Sequence, residues 1–234
     1  MEKLKLVRLS RCPIYEQLLL EEALLRADTG NWCLFNEEAS PAIVMGISGK
    51  AEELINFEQV REKSIPIIRR FTGGGTVIVD ANTCFVTLIC NTSSTGIDPF
   101  PEKVHRWAEA LYNPVFIGLN FSLRENDYVF GERKFGGNAQ YMQRGRWLHH
   151  SSFLWDYEVE MMNCLTLPPK MPSYRQKRSH DEFLSKMCLH IDSKPHFFGE
   201  IKKSLAHHFD LEEGTIEEVK RIQNLPHRIS TVLF

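Results

Sequence analysis

Among six cysteines, Cys12, Cys33, Cys84, Cys90, Cys164 and Cys188, no two stand in a CxxC pair. That argues against a zinc knuckle or a disulfide-stapled scaffold and for a reducing compartment. No segment reaches the roughly 18 apolar residues of a membrane span. The start, MEKLKLVRLSRCPIYEQ, has neither a long apolar core nor an Arg/Ser-rich amphipathic presequence. A soluble, cytosolic protein is therefore expected, with a mitochondrial location open to a different upstream start. Charge of one sign is missing too: 28 Lys and Arg face 30 Asp and Glu, for a net −2. Nucleic acid and anionic membranes are thus poor partners, and any anion must be met by a local site. Two phosphate loops are absent, GxxxxGK[ST] and a GxGxxG between strand and helix. No internal repeat or low-complexity tract interrupts the 234 residues, whose 43% hydrophobic content can fill a substantial core.

What is present is a run of strands with helices laid at intervals. Strands are expected over 4–10 and 65–70, and 31–38 with 41–49 reads as a hairpin around Ala-Ser-Pro. TVIVD (76–80) and NTCFVTLIC (82–90) form two more strands, and 126–158 reads as a meander. Helical spacing appears over 15–27, 51–64, 101–113, 196–209 and 215–225, so that the tail 196–234 is expected to be helical. A proline-rich link spans 167–180. The pattern predicts one α+β domain over 1–234, with a mixed, mainly antiparallel sheet and flanking helices.

Four stretches could carry chemistry. In RRFTGGGTVIVD (69–80), Gly73, Gly74 and Gly75 can adopt positive φ and admit a ligand close to the backbone, while Arg69 or Arg70 can fork onto a carboxylate or phosphate. A glycine bulge in a hairpin, with two solvated arginines, fits the same residues. In ERKFGGNAQ (132–140), Lys134 stands between glycines and could stabilise developing negative charge, or could simply be an edge-strand lysine. The histidines of WLHHSSFLWD (147–156) alternate to opposite faces of a strand, so at most one points into any given site, and no second ligand at helical spacing suggests a metal. SYRQKRSHDEFL (173–184) carries Arg175, Lys177, Arg178 and His180, either a solvated basic face or a gate for an anion. No cysteine has a spacing that marks a nucleophile, and Cys84 and Cys90 share one apolar strand.

Taken in order, RRFTGGGTVIVD, NTCF (82–85), ND (126–127), KFGGNAQ (134–140) and LHHSSFL (148–154) resemble the lipoate–protein ligase A family of the biotin/lipoate ligase superfamily. The resemblance runs from the opening strand to the RSH cluster. It implies the superfamily's α+β catalytic domain and attachment of lipoate or octanoate to a lysine of a carrier domain. ATP, with Mg2+, would be co-substrate, lipoyl-AMP the intermediate, and no prosthetic group is implied. The implied partners are apo lipoyl domains of 2-oxoacid dehydrogenases and glycine cleavage H protein. By the same resemblance Lys134 is catalytic, and Arg70, Gly73, Gly74, Gly75, Val77, Asp80, Asn82, Asn126, Asp127, Gly137, Ala139 and His150 bind substrate or adenylate.

The chain departs from the family's pattern in three places. Val79 stands where a histidine is usual, Ser151 and Ser152 replace a small GT pair, and the C-terminal accessory domain of bacterial members is not in this sequence. A separate accessory subunit, adenylation without one, or use of a preactivated acyl donor are the alternatives this leaves. Two further readings stand beside the ligase: a lipoyl or octanoyl transferase, and a lipoate- or adenylate-binding module without catalysis.

Overall fold

The alternating residues of KLKLVRL form the first strand, β1 (Lys3–Leu9), in a computed structural model that describes residues 1–167 and 171–234. Then follow α1 (Ile14–Ala27), β2 (Trp32–Asn36), β3 (Ala42–Met45), α2 (Phe57–Lys63), β4 (Ile67–Arg69), β5 (Val77–Val79), β6 (Thr83–Asn91) and α3 (Pro101–Tyr112). The second half contains β7 (Phe121–Arg124), β8 (Asp127–Phe130), β9 (Arg133–Gln143), β10 (Arg146–Leu154), α4 (Lys194–Ala206), β11 (Asp210–Glu213), α5 (Ile216–Gln223) and β12 (Val232–Leu233). Local chemistry sets several boundaries. Pro101 opens α3 where its missing N–H costs nothing, and Thr215 with Glu218 closes a capping box on α5.

An eight-stranded sheet runs in the order β11-β1-β2-β6-β10-β9-β8-β7, and a four-stranded one in the order β12-β4-β3-β5. Only β11-β1-β2 and β3-β4 pair in parallel, so the expected α+β fold with a mixed, mainly antiparallel sheet is the one adopted. One face of the large sheet, with Phe35, Val86, Trp147 and Phe153, packs on α3 and α4, where Phe197, Phe198, Ile201 and Leu205 form the expected stripe. The other face, with Leu34, Ile89 and Leu148, is covered by α1 and α5. Beside them the small sheet packs Val44, Ile68 and Val79 against Ile14 and Leu18 of α1 and Phe85 of β6.

Three sequence expectations fail. Residues 31–38 and 41–49 do not form a hairpin: β2 joins the large sheet and β3 the small one, because both strands are buried throughout and each needs neighbours on both sides. The helix expected over 51–64 breaks at Ile55, which bridges Leu165 instead. The tail is not all helical, since 210–213 extends the large sheet and 232–233 the small one. Glu22, fully buried on α1, accepts from the N–H groups of Ser230 and Thr231 and from the Thr231 hydroxyl, which fixes that last strand. Of the proline-rich link, 168–170 lie outside the described residues.

Candidate functional site

The three glycines cross from β4 to β5 over the end of β3, which lies between those strands. The hairpin-bulge reading is therefore excluded. At the crossing the backbones nearly touch: a Cβ at Gly46 would lie 2.2 Å from the Gly74 carbonyl oxygen. Gly74 has φ of +107°, and a Cβ there would lie 2.7 Å from Arg70 Nη2. Only glycine satisfies both constraints. Gly73, Gly74 and Gly75 are exposed, and their N–H groups find no protein acceptor among the described residues.

Arg70 shapes this loop from beneath. It is 5% exposed and donates from Nε to Thr72 Oγ1 at 2.8 Å, from Nη1 to the Val44 carbonyl at 3.3 Å, and from Nη2 to the carbonyls of Gly73 and Gly75, both at 2.9 Å. Burial lowers its pKa to about 10, which leaves it charged at neutral pH. The expectation that Arg70 forks onto a substrate carboxylate or phosphate is corrected here. Four protein oxygens occupy the fork, so its role is to hold the glycine carbonyls inward and the bare N–H side outward.

Across from the loop, 3.8 Å from the same hypothetical Gly74 Cβ, lies the Asn138 carbonyl of β9. The pairing of β8, β9, β10 and β6 sets Asp127 opposite Gly137, Gly137 opposite Ser152, Ala139 opposite His150, and His150 opposite Thr87. Strand alternation puts all of them on the face that the glycine loop covers. Val77, half-buried, borders the same apolar cluster as Phe85. The sequence-predicted Gly137, Ala139, Val77, Asp127 and His150 thus converge with the glycine loop on one slot.

Lys134 reaches that slot through a bulge. The register runs Tyr128 to Gly136 and then Val129 to Lys134, so Phe135 is the extra residue and turns into the aromatic core. The irregularity swings Lys134 to the Gly137 side, where a Cβ on Gly137 would be 3.4 Å from its Nζ. Its ammonium donates to Asp127 Oδ1 at 2.7 Å, and Tyr174 donates its hydroxyl to Asp127 Oδ2 at 2.8 Å. Burial first, and then Asp127, raises the Tyr174 pKa, so the phenol keeps its proton. Arg175, 4% exposed, stacks on Phe183 at 4.8 Å and leaves its Nη2 without an acceptor. Burial lowers its pKa, and Asp127 partly restores it. The basic segment 173–180 is thus not a solvated face at Arg175.

At the inner part of the slot His150 Nδ1 lies 2.8 and 3.0 Å from the two oxygens of Glu21, which is fully buried. Thr87 and Gln17 also donate to Glu21, and Asn36 donates to Gln17. Sequence reasoning missed Glu21 and Gln17, although both fall on the apolar stripe of α1 one turn apart. His149 faces the opposite way, as alternation predicts, between Tyr128 at 2.7 Å and Gln140 at 3.0 Å, and burial holds its pKa well below 6.5.

The remaining expected site residues sit elsewhere or serve structure. Asp80 Oδ1 accepts from the Asn82 N–H at 2.8 Å and the Asn82 carbonyl accepts from Trp155, so these two residues build the β5–β6 turn and its attachment to β10. Their expected role in binding adenylate has no support in these contacts. Asn126 is exposed at the start of β8, its carbonyl accepting from Asn138 at 2.9 Å. Val79 is 2% exposed among Val44, Phe85 and Ala42, a fully apolar setting.

The family model described as "Lipoyl protein ligase A/B catalytic domain" matches residues 13–210. A Plasmodium falciparum protein named "Inactive lipoate–protein ligase 2" is 31% identical over 265 aligned residues, covering 86% of this chain and 68% of that protein. Two bacterial relatives are matched over only 36% and 43% of their length. Among solved structures, a lipoate–protein ligase A bound with ATP superposes with a TM-score of 0.79 at 22% identity, covering 95% of this chain and 93% of that one. The bi-partite lipoate protein ligase of Thermoplasma acidophilum, solved in a study of that enzyme and its E2 lipoyl domain, gives 0.78 at 20%, covering 95% and 91%. At those identities the structures share the fold, while the extent of the family match settles kinship: the chain belongs to the lipoyl protein ligase A/B catalytic domain family.

Proposed function

We propose that this chain is a lipoate–protein ligase-like acyltransferase that forms lipoyl-AMP from lipoate and ATP and transfers the lipoyl group to a lysine of a lipoyl carrier domain. The observation that carries the reading is the Lys134 ammonium, held at Asp127 over Gly137, on the strand whose Asn138 carbonyl faces Gly74 of the glycine loop. A thin apolar acyl chain fits between the glycine loop and the Ala139 face of β9. Its carboxylate end then lies toward Lys134, which can follow negative charge as it moves between acyl and phosphate oxygens. Glycine N–H groups add donors without a side chain in the way. Mg2+ would arrive on the ATP phosphates.

The carrier domains proposed are those of 2-oxoacid dehydrogenases and glycine cleavage H protein. A second reading, transfer from preformed lipoyl-AMP alone, is favoured by one observation: Val79 contributes no hydrogen bond where the family pattern has a histidine. The name of the Plasmodium relative, an inactive ligase, speaks instead for the non-catalytic module. One experiment separates them. The mass of an apo lipoyl domain is followed with lipoate plus ATP, with lipoyl-AMP, and with octanoyl carrier protein. Gain with lipoate plus ATP supports the ligase; gain only with lipoyl-AMP overturns it in favour of the transferase. No gain, with ligand still bound, leaves the non-catalytic module.

A further inference from the structure

Two rows of residues cross the slot face of the large sheet, and their spacing assigns each to one end of the acyl chain. In the outer row β8, β9, β10 and β6 carry Asp127, Gly137, Ser152 and Phe85; in the next, β9, β10 and β6 carry Ala139, His150 and Thr87. Two residues of strand separate the rows, about 7 Å. Lys134 belongs to the outer row, because its Nζ lies 3.4 Å from the position of a Gly137 Cβ. The acyl carbonyl therefore meets the outer row. His150, held by Glu21 through Nδ1 alone, stands one row further in with the tail.

Within the outer row Phe85 is apolar, Gly137 has no side chain, and both Asp127 oxygens are engaged, by Lys134 and Tyr174. Ser152 differs from these. It lies directly opposite Gly137, so its Cβ stands about 4.5–5.5 Å from the position a Gly137 Cβ would take. That side-chain-free position is thus flanked by the Lys134 ammonium and by Ser152. The neighbouring Ser151 turns to the other face of the sheet, where its hydroxyl meets Tyr112 at 3.1 Å and Tyr128 at 3.5 Å. The half-buried Ser152 hydroxyl has no hydrogen-bond partner among the described residues.

We infer that the Ser152 hydroxyl donates a hydrogen bond to the acyl carbonyl oxygen in the transfer step, from the side opposite Lys134. This rests on the acyl-transfer reading above. The neutral amine of the carrier lysine forms the N–C bond to the acyl carbonyl carbon, and the carbonyl π pair moves onto its oxygen. That oxygen, over Gly137, accepts from the Ser152 O–H on one side and from the Lys134 ammonium on the other. When the pair returns, the C–O bond to phosphate breaks, its electrons leave on AMP, and the amine proton passes to solvent. Ser152 keeps its own proton throughout. Donors fixed on two paired strands need no rearrangement as the charge forms, and that is the source of the rate gain. Glycine at 137 leaves the gap between them open.

The test is single-turnover transfer from synthetic lipoyl-AMP to an apo lipoyl domain and, separately, to hydroxylamine, each rate taken above the uncatalysed one. Because the charged oxygen forms with either amine, Ser152→Ala is expected to slow both by about 10²-fold, while the Kd for lipoyl-AMP changes by no more than about threefold. The hydroxyl is unpartnered, so the midpoint of urea unfolding should not move. Ser152→Thr keeps a hydroxyl, as in the family's GT pair, and should recover transfer to within about fivefold of wild type. Ser152→Ala within about twofold of wild type, loss toward the lipoyl domain alone, or an equal loss in Ser152→Thr overturns the assignment. So does a loss that weaker lipoyl-AMP binding accounts for in full. Wild-type protein that acylates neither amine overturns the acyl-transfer reading, and the role of Ser152 with it.

Discussion

The Lys134 ammonium lies 2.7 Å from Asp127 because β9 carries one residue more than β8 opposite Tyr128 and Val129. Without that bulge, alternation would place Lys134 on the face of Gly136, in the aromatic core. Replacing Lys134 with Ala is expected to cut lipoyl transfer by about 10²–10³-fold, the scale for one lost donor to developing charge. Asp127 keeps the Tyr174 hydroxyl, so stability should fall by no more than about 1–2 kcal/mol. Mass analysis of the carrier and urea unfolding measure the two. Transfer at the wild-type rate would remove Lys134 from the mechanism.

Adjacent glycines on β9 separate packing from positioning. A Cβ on Gly136 would sit 2.8 Å from Phe153 Cδ1 and 3.1 Å from the Ser152 carbonyl, inside a fully buried cluster. Gly136→Ala should therefore destabilise by about 1–3 kcal/mol. On Gly137 the new methyl meets the end of Lys134, Nζ at 3.4 Å and Cε at 3.5 Å, which can shift, and Asp127 Oδ1 at an ordinary 3.9 Å. Gly137→Ala should leave the midpoint of urea unfolding in place and slow transfer several-fold. Equal loss of stability in both variants would contradict this division.

How much of this was readable beforehand depended on whether local pattern or distant pairing made the decision. The α1 helix, the aromatic stripe of α4 and the β8–β9–β10 meander follow from local period and turns, and they appear where the sequence puts them. The separation of β2 from β3 and the strand at 232–233 depend on which sheet edge each segment reaches, which no local window contains. The site divides likewise. Lys134, Gly137 and the glycine loop stand in motifs. Tyr174 and Glu21 join it through contacts across 47 and 129 residues of chain. Arg70 was visible as a charge, but its occupation by Gly73 and Gly75 carbonyls is a matter of three-dimensional closure.

That closure makes Arg70 a test of loop architecture. Arg70→Lys supplies one ammonium where a planar fork meets four acceptors, and the shorter spread of donors cannot serve Thr72, Val44, Gly73 and Gly75 together. A loss of about 2–4 kcal/mol in unfolding free energy is expected. Binding of lipoate or lipoyl-AMP should weaken in parallel, because the glycine N–H groups no longer face outward. Calorimetry on the folded variant checks it. Weaker binding with unchanged stability would instead restore Arg70 as a direct ligand of the anion.

Acid should act on this fold through His149 before it reaches most carboxylates. The ring is fully buried between Tyr128 and Gln140, and burial holds its pKa well below the ordinary 6.5. Unfolded, the same ring takes up a proton near 6.5. Between that value and the folded one the unfolded chain binds more protons, so folding free energy declines as pH falls. For this residue alone the slope approaches about 1.4 kcal/mol per pH unit, and it levels off below the folded pKa. The contribution is fully present above pH 6.5. His149→Gln retains an oxygen to accept from Tyr128 and has no titration in this range. Its unfolding free energy, measured in urea from pH 7.5 to 5.5, should therefore fall less steeply than that of the wild type. Since His105 and His180 titrate in both proteins, the difference in slope isolates the buried ring, and identical slopes would show that His149 is protonated in the folded state.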